Sequence, residues 1–256
     1  MTSALIGYTG FVGASLARAE RFDLLVNRAN LESLQGARLE RVVCAGLPAA
    51  KWIANQKPQE DAEDVRRLEA ALSTVRADAF VLISTIDVYP RTAEADETYD
   101  CSREFNHAYG KHRLGFERFV GERFPHAHIV RLPALFGRGL KKNVVYDLLH
   151  DNRLERINPA SRFQWYPLAR LPKDLRTIEV HGLPLVNLFT EPVETRTIVE
   201  QLFADKLAGG SPDPAADYDL RTRHGAFFGG DSRYVMSGAA VMTALGEFVR
   251  GEQVLR

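Results

Sequence analysis

The chain has 256 residues, 45% hydrophobic and 26% charged, and its 33 basic and 33 acidic side chains leave a formal net charge of zero. That length holds one large α/β domain, or one domain with a small lobe, and the neutral balance argues against a dedicated nucleic-acid or membrane-surface binder. Two cysteines are too few for a disulfide scaffold or a cysteine zinc site, no stretch reaches membrane-span length, and a strand starting within a few residues of Met1 leaves no signal peptide, so a reduced, cytoplasmic protein is expected.

The first predicted element is a short apolar strand, Ala4–Ile6, which runs into Gly7-Tyr8-Thr9-Gly10-Phe11-Val12-Gly13. An apolar-periodic helix follows, with Phe11, Val12, Leu16 and Ala17 on one side. Such a turn lets backbone approach a pyrophosphate, and the helix N-terminus offers free N–H groups and the positive end of its dipole. The spacing is G-x-x-G-x-x-G rather than G-x-G-x-x-G. A glycine triplet alone reads equally as an ordinary turn; the strand before it and the helix after it favour a dinucleotide site over residues 7–13. A side chain at Gly7 or Gly10 is expected to meet the phosphate, and one at Gly13 the packing of helix on strand.

Phe22–Val26 reads as the second strand, ending at Asn27-Arg28, and Leu31–Leu34 as one or two helical turns. NAD specificity usually requires an acid at this strand end. Asn27 beside Arg28 instead suits a 2′-phosphate, so NADP is preferred to NAD; the alternative is that Arg28 is a surface charge. Arg41–Ala45 is a third strand, closed by Gly46-Leu-Pro48, with Cys44 as a small core thiol. Glu60–Val75 is helical, with Val65, Leu68, Ala71, Leu72 and Val75 at helical spacing and Asp61 or Asp64 in its acidic first turns. A fourth strand, Ala79–Ile83, ends at Ser84-Thr85; Arg91–Asn106 is a loop. Ala108–Phe124 is a helix with Leu114, Phe116, Phe119 and Val120 inward, and His128–Leu132 a fifth strand before Pro133.

This alternation predicts an α/β fold with a Rossmann-type doubly wound parallel sheet, whose ligands bind at the carboxyl ends of the strands. The glycine turn, Asn27-Arg28, Ala45-Gly46, Ser84 and Leu132-Pro133 fall there and are the expected cofactor contacts. Beyond Gly139 the pattern loosens. Val144–Leu149, Lys173–Glu179, Glu194–Phe203 and Ser237–Phe248 read as helices, and Ser161–Leu168 and Pro184–Leu188 as strands. Ala208–Pro214 is a turn or linker, and Arg221–Gly230 a loop. The expected organisation is a dinucleotide-binding domain over 1–150, to which 184–205 returns, and a small C-terminal substrate lobe from 151–183 and 206–256.

A second constellation opens the helix after the fourth strand, Asn106-His-Ala-Tyr109-Gly-Lys-His-Arg113. Tyr109 and Arg113 share a helix face. A hydroxyl at the strand end and this tyrosine converge on one substrate carbon, and a cation four residues on lowers the cost of a tyrosinate.

With Gly7-x-x-Gly10-x-x-Gly13, Ser84-Thr-Ile-Asp-Val-Tyr89, Tyr109-Gly-x-x-Arg113 and Val130-Arg-Leu-Pro-Ala-Leu-Phe-Gly-Arg-Gly139, the chain resembles the extended short-chain dehydrogenases/reductases, which include nucleotide-sugar epimerases, dehydratases and reductases. Lys173-Asp-Leu-Arg176 resembles a short acidic segment of that family. The likeness covers 1–140 well and 160–205 loosely. It implies that Thr85 holds the substrate oxygen, Tyr109 is the general acid/base, and position 113 contacts the nicotinamide ribose; a homodimer is also implied. The family has lysine where Arg113 stands. Arginine can bond a ribose diol and favour tyrosinate, but it is a poor proton relay. Dehydratases carry an acidic pair after the threonine; Ile86 and Asp87 supply one acid, which disfavours that reaction.

Asp87 reads as an auxiliary base or as a solvated strand-end carboxylate. Asn106, Asp87, Arg138 and Lys141 are the candidate substrate contacts; Arg138, Lys141 and Lys142 read equally as a basic loop or a diphosphate site. Trp165 and Tyr166 read as lobe core before a stacking platform, and His107 and His112 as solvated helix residues. Seven scattered histidines show no metal-binding spacing, so no metal is expected. Two functions compete. One is an NAD(P)-dependent oxidoreductase or epimerase acting by hydride transfer on a carbonyl or secondary alcohol of a nucleotide-linked sugar or similar small molecule. The other is a catalytically degenerate NAD(P)-binding sensor or assembly protein.

Overall fold

The computed structural model describes residues 2–211 and 213–254; Met1, the last two residues, and Pro212 within the expected 208–214 linker lie outside them. The elements in chain order are β1 (Ser3–Ile6), α1 (Phe11–Ala19), β2 (Leu24–Val26), β3 (Arg38–Cys44), α2 (Lys51–Gln56), α3 (Pro58–Ser73), β4 (Arg76–Thr85), α4 (Ala108–Arg123), β5 (Ala127–Leu132), β6 (Ala134–Phe136), α5 (Val144–His150), β7 (Arg162–Pro167), α6 (Leu171–Val180), β8 (Leu185–Asn187), β9 (Pro192–Glu194), α7 (Thr195–Leu202) and α8 (Gly238–Val254). The expected strands and helices are present with boundaries shifted by a few residues. α2 was not foreseen, because its sequence, Lys-Trp-Ile-Ala-Asn-Gln, is too short to show helical periodicity.

Six strands form a sheet in the order β2-β1-β3-β4-β5-β8. β1 pairs in parallel with β2 and β3, aligning Ile6 with Val26 and Cys44, and β3 pairs in parallel with β4. This is the predicted doubly wound, Rossmann-type α/β sheet. One strand, β2, flanks β1 on one side, and a 3-10 stretch, Arg28–Leu34, carries the chain from it to β3 on the other side of β1. The strand order therefore reverses at β1 and β3, and connections leave that point in opposite directions, opening a crevice at the carboxyl ends.

The chain packs as two compact units, Met1–Arg91 with Thr98–Arg131 and Leu171–Val186, and Thr92–Glu97 with Leu132–Arg170 and Asn187–Arg256. The division differs from the expected ranges. α6 belongs to the first unit, because Arg41 holds Glu179 at 2.7 and 3.1 Å. The following turn joins it through Leu183 O to the His128 ring at 2.8 Å and through Pro184 O to Ile129 N–H at 2.8 Å. Residues 132–150 and α7 belong to the second unit, where Ile198 and Phe203 pack with Val145, Leu148, Val241 and Leu245.

The first unit's core joins Ile6, Val42 and Phe80 of the sheet to Val65, Leu68 and Leu72 of α3 and Phe116 and Val120 of α4. Cys44 lies within it, and burial pushes its thiol up to about 12. The buried face of α4 also carries two charges, Arg113 and Glu117. Glu117 is met by Arg131 at 2.6 and 3.0 Å and by the Ser84 hydroxyl at 2.5 Å, and Arg131 donates to the Tyr89 oxygen at 2.9 Å. Burial works against the Arg131 proton, and the adjoining Glu117 carboxylate outweighs it, raising that guanidinium above its ordinary value.

In the second unit β7 pairs in parallel with β6 and antiparallel with β9. Trp165 and Tyr166 are buried there as core, and Gln164 is bonded to Thr190 O and Leu220 O at 2.6 and 2.8 Å. Among the described residues no helix is long and apolar enough to cross a membrane.

Removing one member of a buried ion pair strands the other charge, whereas replacing both with apolar residues does not. Glu117→Gln should lower unfolding free energy by about 3–5 kcal/mol in urea titration, and Glu117→Leu combined with Arg131→Met should recover most of the loss. A Glu117→Gln protein as stable as the parent would show that the pair holds nothing together.

Candidate active site

The glycine turn leaves β1 at the switch point. Gly7 N–H donates to Val26 O at 2.7 Å and Ala45 N–H to Ile6 O at 2.8 Å, which draws the ends of β1, β2 and β3 together. Gly7 sits at φ +85, and a Cβ on it would overlap the Ala45 carbonyl; one on Gly13 would overlap the Gly7 carbonyl. Gly7 is thus required by the protein's own packing, whatever it meets in a ligand, and Gly13 closes the helix onto the turn. Gly10 differs. A Cβ there would meet only Gly7 O, at 3.3 Å, and otherwise open space. Gly10 also begins α1 with no side-chain cap and no acid in the first turn, so the helix N-terminus stays available to an anion. Thr9 and Gly10 are exposed, and Tyr8, Phe11 and Val12 half-buried.

At the end of β2, Asn27 accepts Ala29 N–H at 2.8 Å and donates to the Tyr8 hydroxyl at 3.3 Å, which ties the second strand end to the glycine turn. Arg28 is 71% exposed and reaches Asp64 of α3 at 2.9 Å; Asp64 also holds Arg67 at 3.1 Å. Ala45 is half-buried and Gly46 exposed at the end of β3.

At the end of β4, strand alternation parts the two hydroxyls. Ser84 turns to Glu117, so its side chain is engaged in the core rather than at the crevice. Thr85 accepts Asp87 N–H at 3.1 Å and lies 3.4 Å from Asp87 Oδ2, and its hydroxyl stands near enough to Tyr109 to ease ionisation of that phenol. Asn106 donates to the Asp87 and Val88 carbonyls at 2.9 and 3.0 Å. His107 Nδ1 accepts Gly110 N–H at 3.0 Å, capping α4. A Cβ on Gly110 would overlap the Asp87 carbonyl, so the first turn of α4 lies directly on the β4 exit. Thr85, Asp87, Asn106 and Tyr109 are therefore brought together. Asn106 braces backbone instead of facing a ligand with its amide.

α2 adds two groups that the sequence did not reveal. Lys51 Nζ is 2.6 Å from Asp87 Oδ1, and Asn55 Oδ1 accepts Tyr109 N–H at 3.0 Å. Asp87 is consequently an ion-paired carboxylate rather than a solvated one.

Arg113 is 3% exposed. It donates to Asp61 Oδ2 and, at 2.6 Å, to Pro48 O, with its guanidinium carbon 4.0 Å from the Tyr109 ring centre. His112 also meets Asp61, at 2.7 Å, which corrects the reading of His112 as a solvated residue. Burial works to raise the Asp61 carboxyl, but the hydrogen bonds from Arg113 and His112 prevail and hold it below the usual range. Tyr109 goes the other way. Burial pushes its phenol up, Arg113 pulls it down, and Asp87 adds to the rise; the net direction is upward. The expected easing of tyrosinate by Arg113 is present but is outweighed by burial, to which the Asp87 and Asp61 carboxylates add.

Leu132 and Pro133 are buried, and Arg138 and Lys141 exposed, in the second unit. Among the described residues no group of three or more His, Cys, Asp and Glu side chains is placed to hold a metal ion.

No family model matches the sequence, and no curated protein matches it significantly. Solved structures do. The dTDP-4-dehydrorhamnose reductase of Clostridium acetobutylicum has a TM-score of 0.73 at 17% identity, over 99% of this chain and 100% of that one. The dTDP-4-dehydrorhamnose reductase of Bacillus anthracis, in complex with NADP, gives 0.72 at 15% over 98% and 99%. An NAD-dependent NDP-hexosamine 5,6-dehydratase involved in tunicamycin biosynthesis gives 0.76 at 17% over 99% and 98%. At such identities the likeness is one of fold.

A carboxyl held low in the folded state contributes stability above its unfolded pKa of about 3.9 and loses it as pH falls through the folded value. The stability difference between the parent and Asp61→Asn should be full above about pH 4 and shrink below it. Urea unfolding between pH 2.5 and 7 reads this, and a difference independent of pH would remove the Asp61 charge from the account.

Proposed function

We propose that this chain is an NAD(P)-dependent oxidoreductase or epimerase acting on a carbonyl or secondary alcohol of a nucleotide-linked sugar. The carrying observation is that Thr85 and Tyr109 stand together at the carboxyl end of β4, where the first turn of α4 lies on the Asp87 carbonyl, in the same unit as the glycine turn at the switch point. The fold neighbours named above support the reading by analogy.

The residues fit the dinucleotide. The open approach at Gly10 and the acid-free start of α1 suit a pyrophosphate, and residues 7–13 would hold it. Asn27 and Arg28 would meet the adenosine ribose; Arg28 has an acid partner already, but at 71% exposure that pair is weak and a 2′-phosphate can replace it. Ala45, Gly46 and the backbone at Ser84 would flank the cofactor. When bound, the nicotinamide supplies or accepts a hydride. Thr85 would hold the substrate oxygen, with Asp87 behind it. Tyr109, its phenol pushed up by burial, stays protonated at neutral pH and is set to donate to a carbonyl oxygen, which favours reduction. Arg113, paired to Asp61 and Pro48, serves as the floor beneath the Tyr109 ring rather than as a ribose ligand.

Calorimetric titration of cofactor-free protein should give tighter binding of NADPH than of NADH, with Arg28→Ala narrowing the gap. Reversed preference would return Arg28 to a surface charge, and no binding of either at millimolar levels, about −4 kcal/mol, would remove the cofactor site. Gly10→Ala should leave stability within about 1 kcal/mol, while a methyl in the open approach weakens NADPH. Tyr109→Phe should keep cofactor affinity and lose about 10²–10⁴-fold in turnover. Intact binding with no turnover in either protein would favour the degenerate binder, a reading supported by the burial of Arg113, and unchanged turnover in Tyr109→Phe would remove Tyr109 from the mechanism.

A further inference from the structure

Tyr109 in an acid/base role has to regain a proton each cycle, and the cation four residues after it is an arginine. A guanidinium effectively never deprotonates, whereas a lysine ammonium titrates near pH 10.4, within reach of a phenol at about 10. In addition, Arg113 is committed to Asp61 and Pro48. The site nonetheless holds an ammonium, on a different helix. Lys51 of α2 lies 2.6 Å from Asp87 Oδ1, Asp87 Oδ2 lies 3.4 Å from Thr85 Oγ1, and the Thr85 hydroxyl stands near enough to Tyr109 to ease ionisation of that phenol. The series runs from water inward, since the Lys51 side chain is 40% exposed, Asp87 18% and Tyr109 7%. α2 is registered to this site by Asn55, which takes the Tyr109 N–H, so Lys51 is placed by the same helix that anchors the start of α4.

We propose that Lys51, acting through Asp87 and Thr85, is the proton-relay cation for Tyr109, in the place of a lysine on α4. The proposal rests on the reading of Tyr109 as the acid/base of a hydride-transfer enzyme. The transfers balance without any change of oxidation state in the relay. The Tyr109 O–H bond breaks as its proton passes to the substrate oxygen. Thr85 gives its hydroxyl proton to the tyrosinate and takes one from Asp87, which has received it from the Lys51 ammonium. Water then returns a proton to the Lys51 amine. The net movement is one proton from solvent to substrate. Lys51 touches neither substrate nor cofactor in this scheme and is a positioning and relay residue.

The other groups facing Tyr109 are Arg113 on α4, Asp61 on α3, and His107 at the α4 cap, its ring centre 6.3 Å from that of Tyr109. Arg113 and Asp61 are engaged with each other. The His107 Nδ1 is occupied by Gly110 N–H, and burial, with Lys51 adding to it, holds that imidazole below its ordinary value. None of the three spans the distance from solvent to Thr85 as the Lys51–Asp87 pair does.

The first test needs neither cofactor nor substrate. In protein labelled with 13C at tyrosine Cζ, with Tyr109→Phe identifying the resonance, Lys51→Met should move the Tyr109 titration upward and Asp87→Asn downward, each by about half a pH unit or more. Lys51→Arg, which keeps the charge, should leave it near the parent position. A purely structural role for Lys51 would not give shifts of opposite sign, and an unmoved titration in Lys51→Met overturns the proposal. The second test separates charge from relay. Lys51→Arg and Lys51→Met should both lose about a hundredfold in carbonyl reduction, and ethylamine should restore Lys51→Ala where guanidine does not. Full turnover by Lys51→Arg overturns the relay. If the parent protein binds no dinucleotide and reduces nothing, the proposed function has failed, and the tyrosine titrations still decide whether Lys51 is coupled to Tyr109.

Discussion

A guanidinium taken out of water needs an anion beside it, and at Arg113 that anion is Asp61. The requirement shapes everything around it. α3 has to present Asp61 to α4, and the β3 exit has to bring the Pro48 carbonyl to the other guanidinium nitrogen. The Tyr109 ring then rests on a cation whose field is largely spent on a carboxylate. One turn further along, Glu117 repeats the arrangement with reversed sign, paired to Arg131 of β5. The two pairs pin α4 from either side, to α3 through Asp61 and to the sheet through Arg131. With an Asp87 carbonyl against Gly110, the helix that carries Tyr109 has no freedom of register at the β4 exit.

The fold was legible in the sequence because its signals are local. Apolar runs such as Val42–Cys44 and Phe80–Leu82 end at turn residues, and the helix of Val65, Leu68 and Leu72 keeps its period for four turns. The parallel doubly wound sheet follows from that alternation. The division into packing units was less legible. α6 sits in the first unit through Arg41 and Glu179, residues 138 apart in sequence, and α7 in the second through the apolar faces of α8 and α5. No local pattern encodes which core an amphipathic helix covers.

In the candidate site, Gly7, Thr85 and Tyr109 could be picked out because a turn, a strand end and a helix start each leave a mark. What surrounds them could not. Lys51 and Asn55 lie on a helix of six residues, below the length at which periodicity speaks, and Asp61 looked like one more acid in a first turn. Ser84 and Thr85 are adjacent hydroxyls with opposite fates, one given to Glu117 and one to Asp87, and only the pleat of β4 separates them. Burial of charge is the recurrent blind spot. Arg113, Glu117, Arg131 and Asp61 are each nine-tenths or more buried, and in the sequence each has the look of a solvent-facing charge.

The arginine at position 113 then reads as one half of an exchange rather than as a loss. A lysine there would have to be desolvated beneath Tyr109, and a buried ammonium sheds its proton readily. Arginine keeps its charge under the same burial and binds Asp61 with fixed geometry, so the helix start gains a permanent brace. Proton traffic is thereby excluded from that side of Tyr109, and the open side is the one where Lys51, Asp87 and Thr85 stand. In the proposed relay, bracing and proton handling, which one lysine can combine, are divided between two cations on two helices. The division explains why α2 is anchored to the first turn of α4 at all: a relay group on a separate helix is useful only if that helix cannot drift from the phenol it serves.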